Sequence, residues 1–518
     1  MRTRSRSGDT TAATRAVEAD LAGSEPFGSA AYLISRLTAH YRHRVALLAE
    51  HHVAGSSLIA GLDRASDAGR RTVLGDPAVR VVVDRAVAHL RLGGEPLADG
   101  DVRVVLSRAS RELARGPSAA DPPGRRAPWG RAGPLIWSEE PDPARDPSDD
   151  VFRRLFAELH HGLVLRTPDQ DTVRMLISGM SLLQDLCPAL ASSMMTHARL
   201  IAIVSPAGPG RITSLSNPRL PGVIMYSPHI LSTPWKAAEY LLHEAAHTKF
   251  IDIEHTHSLL APDYDDAQAP RIRPHWNRVT PGSRQDWPVN RVLTVLHVYT
   301  SLAVFFLTAA ERAGELEQEY GEIGYDPAAY ARRALDRAQY LADALEQHRA
   351  WLGIAGELFL RWLGALLQFL DAQPPPPGSY LHLLLDLYDR QVDDLRAMAL
   401  DRRLAGTVRP ETVTVLRETA RREIKAVRGA FAAIDRPFPS DRTLEAGILV
   451  LDSCSADVPQ SIASFAAIRR ALAAILRGAE PAASLALGET GPTEIIRVMV
   501  EQTSCSLDPL FRLEAAAP

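Results

Sequence analysis

His243-Glu244-Ala245-Ala246-His247 puts two imidazoles and a carboxylate within little more than one helical turn. Histidines four apart share a helix face, with Cβ atoms about 5–6 Å apart, and both can reach one metal ion at roughly 2.0–2.1 Å. Glu244 follows the first of them. A zinc hydrolase keeps its general base there, and another metal enzyme can keep a residue there that orients the ligands. In 518 residues with 17 histidines, chance produces this pattern only on the order of a few times in a hundred. The competing reading is a pair of ordinary helical histidines. On a buried helix both would then need polar partners.

The surrounding residues predict such a helix. Ser232-Thr233-Pro234 offers an N-cap hydroxyl followed by proline at the first helical position. From Trp235 onward, Ala238, Leu241, Leu242, Ala245, Ala246 and Phe250 recur at helical spacing. Upstream, RLIAIVS, GRITSLS and PGVIMYS are β-branched segments broken by Pro and Gly, and they predict short strands between 199 and 227. Val223-Ile224-Met225-Tyr226 is the candidate edge strand, able to hold an extended peptide beside the helix.

A third protein ligand is the open position. Metzincins carry a further ligand six residues beyond the second histidine; Ile253 stands there, which excludes that arrangement. The downstream helix RVLTVLHVYTSLAVFF has one metal-competent side chain in its apolar body, His297, which becomes the predicted third ligand. Asp252, Glu254, His255, His257 and His275 compete. Glu254 lies two turns past His247, too far for the same ion, and these five are expected to be exposed polar residues.

Residues 1–26 read as a frayed or disordered tail and 27–115 as a helical region. A Pro/Gly/Arg-rich linker or loop follows at 116–150, and the metal-binding domain spans 151–373. Residues 259–290 form a Pro-rich loop with Trp276, Trp287 and several arginines, expected to serve as a lid or binding segment. Helices are predicted over 291–313 and 327–372. The Pro374–Pro377 run marks a boundary before a helical region at 379–518, with a β-prone patch near GILVLDSCSADVP.

Apolar residues make up 46% and charged residues 23%, ordinary for a soluble globular chain. A net charge of −4 gives no reason to expect nucleic acid or an anionic membrane as partner. Three scattered cysteines exclude a disulfide framework and a cysteine-based metal site, and a cytoplasmic location is expected. The longest apolar run, Val289 to Ala309, contains Asn290, Arg291 and His297, so it reads as a buried helix rather than a membrane span.

LSNPRLPGVIMYSPHILSTPWKAAEYLLHEAAHTKF, then a Trp/Arg/Pro loop, then HVYTSLAVFF, resembles the HExxH-motif peptide-modification proteins of bacterial ribosomal-peptide biosynthetic clusters. Ser214, Ser216, Pro221-Gly222-Val223, His243-Glu244, His247-Thr248-Lys249 and Val298-Tyr299 match that pattern in order, over about 110 residues. Lys249 stands out because only Lys236 and Lys425 accompany it in the chain. Two departures are Pro274-His275-Trp276-Asn277-Arg278 in place of Pro-Trp-Arg, and His297 in place of a glycine.

The resemblance implies an Fe(II)- and 2-oxoglutarate-dependent oxygenase that uses O₂ to hydroxylate a β-carbon of a peptide, with recognition through a leader segment among the expectations. Such an enzyme needs two histidines and a third ligand, room for a bidentate 2-oxoacid, and a cation for its distal carboxylate. Arg278 and Arg284 are the candidates for that cation. The alternative chemistry is a Zn²⁺ metallopeptidase with Glu244 as general base; a further one is a degenerate, non-catalytic binding protein. The expected fold is mainly α, of α+β type: a zincin-like core with a small sheet before the motif helix, flanked by helical regions.

Overall fold

The computed structural model describes residues 4–93, 97–115, 125–126, 128–129, 133–138, 147–207, 213–280, 286–371, 374, 380–401, 411–453, 457–483 and 491–516. They form a mainly helical protein around one small mixed sheet. The sheet's centre is β4 (Leu200–Pro206), which pairs in parallel with β6 (Val223–Tyr226) on one edge. Its other edge is shared end to end. β2 (Leu135–Trp137) runs parallel along the first residues of β4, and β3 (Leu163–Arg166) runs antiparallel along the last ones. β1 (Arg125–Arg126) continues beyond β2, and β5 (Ser214–Ser216) closes the far side antiparallel to β6.

Both faces of β4 and β6 are covered, which explains their unbroken apolar runs. Leu200, Ala202, Val204, Val223 and Met225 point into a core made with six helices: α2 (Ala30–Ala49), α3 (Val53–Arg64), α4 (Asp67–Leu74), α5 (Pro77–Leu92), α6 (Asp99–Arg115) and α7 (Pro147–Leu159). Ile201, Ile203, Ile224 and Tyr226 face the opposite core. That core contains α8 (Gln170–Leu186), α9 (Pro188–Met195) and the motif helix α10 (Pro234–Thr256). It also takes in α11 (Val289–Tyr320), α12 (Pro327–Gln347) and α13 (Ile354–Leu370). A third core is built from α14 (Leu381–Leu400), α15 (Glu411–Ala433), α16 (Arg442–Ser453), α17 (Val458–Ala483) and α18 (Pro492–Ala516).

Four expectations are corrected. Val223–Tyr226 is not an edge strand: β4 and β5 occupy its two sides, and all four of its residues are buried. The open edge belongs to β5. Much of the expected tail is the helix α1 (Arg4–Gly23), because Val17 and Leu21 give it an apolar stripe that packs into the motif-helix core. Within the expected linker, Leu135–Trp137 is a sheet strand, with Ile136 and Trp137 fully buried. The patch near Gly447 is helical, held by Leu444, Gly447 and Leu451 on one face.

The described residues of the 259–290 segment, 259–280 and 286–290, are pinned. Ile272 and Trp287 exchange backbone hydrogen bonds of 2.8 Å in both directions, and Trp276 and Trp287 are 3% and 5% exposed. The proline run boundary falls largely on 375–379, outside the described residues. One helix among those described, Val289–Tyr320, is long and apolar enough to cross a membrane; 72% of its most apolar stretch is buried in protein. It is a core helix, as its polar residues predicted.

Candidate metal centre

α10 starts where the sequence says it should. The Thr233 hydroxyl accepts from the Lys236 amide at 3.2 Å and Pro234 fills the first helical position. Trp235, fully buried, donates its indole N–H to the Gly321 carbonyl at 2.7 Å and fixes the helix against the end of α11. Gly179 of α8 lets the two helices nearly touch: a Cβ added there would lie 2.5 Å from the Ala237 Cβ. The small residues of α10 are therefore used for close approach on the face away from the histidines.

His243 and His247 stand one turn apart with their Nε2 atoms 3.2 Å from each other and ring centroids 5.0 Å apart. Two nitrogens at that separation, each roughly 2.0–2.1 Å from one ion, subtend an angle of about 100° at it, close to tetrahedral. Burial, and then the neighbouring His243, hold the His247 ring well below the usual histidine range. It is thus neutral at pH 7, the form that ligates metal. His243 is the more open of the two, its side chain 32% exposed. Glu244 is 3% exposed; its Oε1 lies 3.9 Å from the His243 Nε2, while Oε2 is buried without a hydrogen-bond partner.

His297 is fully buried. Its ring packs between Phe250 and Phe359, at centroid distances of 6.4 and 5.9 Å, beside the Ala246 backbone. Neither ring nitrogen has a hydrogen bond, and burial pulls its pKa down to about 3. It is close enough to act on the His247 ring, and among the described residues no three His, Cys, Asp or Glu side chains gather at one point. The apolar contacts on both sides hold the imidazole in the α10–α11 interface.

The competing ligands also have other places. Asp252 is not exposed. It is 1% accessible on the opposite face of α10, bonded to Arg80 Nη2 at 2.6 Å and His197 Nδ1 at 2.7 Å. Burial opposes its ionisation, but Arg80 and His197 together hold its carboxyl down to about 2. Glu254 shares the histidine face two turns on, half-buried, its carboxyl raised to about 7 by burial. His255 bonds the Ile251 carbonyl, His257 caps the helix end, and His275 stacks on Tyr380 at 4.2 Å.

Lys249 has a structural partner set. Its buried Nζ donates to the Leu21 carbonyl at 2.9 Å and the Gly28 carbonyl at 2.5 Å, with the Ser193 hydroxyl 2.9 Å away. It therefore ties the α1–α2 turn to the motif helix. Burial lowers its pKa to about 7.

Of the two predicted carboxylate-binding arginines, Arg284 lies outside the described residues. Arg278 is committed elsewhere, ion-paired with Asp394 and stacked over Phe511 at 4.5 Å. Arg291, in the first turn of α11, is exposed; its guanidinium lies 4.8 Å above the Trp287 ring, has no ion pair among the described residues, and lowers the His247 pKa less than burial, His243 and His297 do. Its place in the chain was legible in outline: Pro288 sets the start of α11, and Arg291 falls six residues before His297 on that helix. Comparison with protein-family models and with curated proteins returns no match.

Proposed function

We propose that this protein is an Fe(II)/2-oxoglutarate-dependent oxygenase acting on a β-carbon of a ribosomally made peptide, with the metal held by His243 and His247. The observation that carries the reading is the His243–His247 pair, with Nε2 atoms 3.2 Å apart, at metal-ligating separation. Iron bound there supplies O₂ chemistry, with 2-oxoglutarate as the co-substrate oxidised to succinate and CO₂.

The chain's own residues have separable tasks. The two imidazoles would ligate the metal. Glu244, buried beside His243, keeps one oxygen for a proton or a bound water. Arg291 forks onto the distal carboxylate of the 2-oxoacid, held over Trp287 so that little side-chain freedom is lost on binding. The outer edge of β5, antiparallel to its neighbour and packed by α10, would offer backbone groups to an extended peptide.

The uncommitted Oε2 of Glu244 supports a second reading, a zinc metallopeptidase in which this carboxylate takes a proton from bound water. Succinate production separates the two. With Fe(II), 2-oxoglutarate and O₂ the protein should form succinate. Arg291→Ala should lower kcat/KM for 2-oxoglutarate by about 10- to 100-fold, the loss of one charge-assisted fork, while Arg278→Ala leaves it within a factor of about 3. Equal effects of the two substitutions would remove Arg291 from the site. Zinc-dependent peptide cleavage without succinate would establish the second reading instead.

A further inference from the structure

Behind α10, on the side away from His243 and His247, lies a cavity of about 280 Å³. Asp252 closes it from the motif helix, nine residues and half a turn's rotation from His243. Three guanidiniums line its polar wall, Arg71 from the end of α4, Arg80 from α5 and Arg199 from the turn before β4, beside the His197 ring, whose pKa burial lowers. The opposite wall is apolar, from Ile34 and Leu37 of α2 and Leu74 of α4.

Three guanidiniums share one lining carboxylate, and Asp252 is already engaged by Arg80 and His197. Arg71 and Arg199 have no ion pair among the described residues. The next nearest acid, Asp76, is occupied in capping α5, accepting from the Ala78 and Val79 amides at 2.9 and 3.3 Å. Two lining atoms are buried without any hydrogen bond: Nε of Arg80 and Nε2 of His197, on side chains each 1% exposed. A buried guanidinium N–H left unmatched, as at Arg80 Nε, is costly unless something anionic completes it.

The position of Arg199 is built by two glycines. A Cβ at Gly75 would lie 3.3 Å from its Nε, and a Cβ at Gly222, where φ is +81°, would lie 3.3 Å from its Cγ. The Pro221-Gly222-Val223 turn therefore makes room for this arginine stem as well as starting β6.

We propose that this cavity binds a small organic anion, a carboxylate or phosphate group on a compact uncharged body, forked by Arg199 and Arg71 with the body against Ile34 and Leu74. The size sets the class, since 280 Å³ is at the lower end of small-molecule sites. Planar arginine forks match both oxyanions. The site is separate from the histidine face and does not depend on the metal chemistry proposed there.

The test is thermal stabilisation of the full-length, chelator-treated protein by inorganic phosphate and, separately, by succinate at matched ionic strength. A saturable rise in Tm is expected with at least one probe; phosphate alone would assign a phosphoryl group and succinate alone a carboxylate. Arg199→Met should weaken that binding at least tenfold. Because Arg199 is packed and its replacement can perturb folding, Arg71→Gln, at an exposed position, must also weaken it several-fold. No saturable stabilisation by either probe, or unchanged binding in Arg71→Gln and a folded Arg199→Met, would overturn the proposal.

Discussion

At the residue scale, two buried groups around the motif make opposite predictions. His297 carries two unpaired ring nitrogens between aromatic neighbours, and such a group costs about 1–3 kcal/mol relative to an apolar one of similar shape. His297→Leu is therefore expected to be neutral or to stabilise by up to about 2 kcal/mol in chemical denaturation, with metal stoichiometry unchanged. Loss of bound metal in that variant would make His297 a ligand after all. Lys249 is the reverse case, a buried polar group with every partner made. Lys249→Met removes the ammonium bonds to the Leu21 and Gly28 carbonyls, leaving Gly28 only its bond from the Ser193 hydroxyl, and should destabilise by about 1–3 kcal/mol at pH 7. The sign with pH follows from its lowered pKa of about 7. Between about pH 7 and 10 the unfolded chain holds this proton more tightly than the folded one. The contribution of Lys249 to stability thus grows as pH rises through that window, and the slope should vanish in Lys249→Met. An identical slope in both proteins would count against the buried ammonium.

At the scale of elements, the placement of α10 depends on how closely α8 can approach. Gly179→Ala puts a methyl 2.5 Å from the Ala237 Cβ and 2.9 Å from the Ala238 amide nitrogen, so a helix must move. The expected cost is about 1–3 kcal/mol in Tm-based stability. Gly314→Ala, at an exposed point of α11 where a Cβ meets nothing within 4 Å, should instead stabilise by about 0.5–1 kcal/mol. A common sign for the two would show that helix propensity, not packing, decides.

The same scale shows what could be read in advance. α10 was legible because Thr233, Pro234 and the apolar repeat are local signals, and β4 and β6 because their β-branched runs are unbroken. β2 and β3 were not, since three- and four-residue strands gain their identity only by pairing with β4. The edge position of Val223–Tyr226 was misread because strand order is set by non-local pairing. The fate of Arg278 was hidden for the same reason: its partners, Asp394 and Phe511, lie more than a hundred residues away. Asp252 could have been found from spacing alone, since nine residues from His243 turns a side chain to the buried face.

Over the whole molecule, the sheet divides two cores and a third stands beyond them. The C-terminal helices bury their apolar residues almost entirely among themselves, around a buried Arg469–Glu423 pair with the guanidinium 3.8 Å from the Tyr388 ring centroid. They meet the rest of the protein through a polar seam that includes Arg278–Asp394, Arg273–Glu501 at 3.1 Å and the His275–Tyr380 stack. Such a seam couples two bodies weakly compared with a shared apolar core. Denaturant unfolding followed by circular dichroism is expected to show two transitions, with the second core pair unfolding together because α1 to α13 share one sheet. A single coincident transition by several probes would contradict that division.

The central claim is that His243 and His247 hold iron together with a 2-oxoacid. Its most direct measurement is anaerobic titration with Fe(II), then 2-oxoglutarate, followed by visible absorption. A bidentate iron–2-oxoacid chelate absorbs in the visible, so a band should appear only when both are present and should be missing in His243→Ala and His247→Ala. The contradictory result is no band in the native protein together with tight, stoichiometric zinc held by the same two histidines.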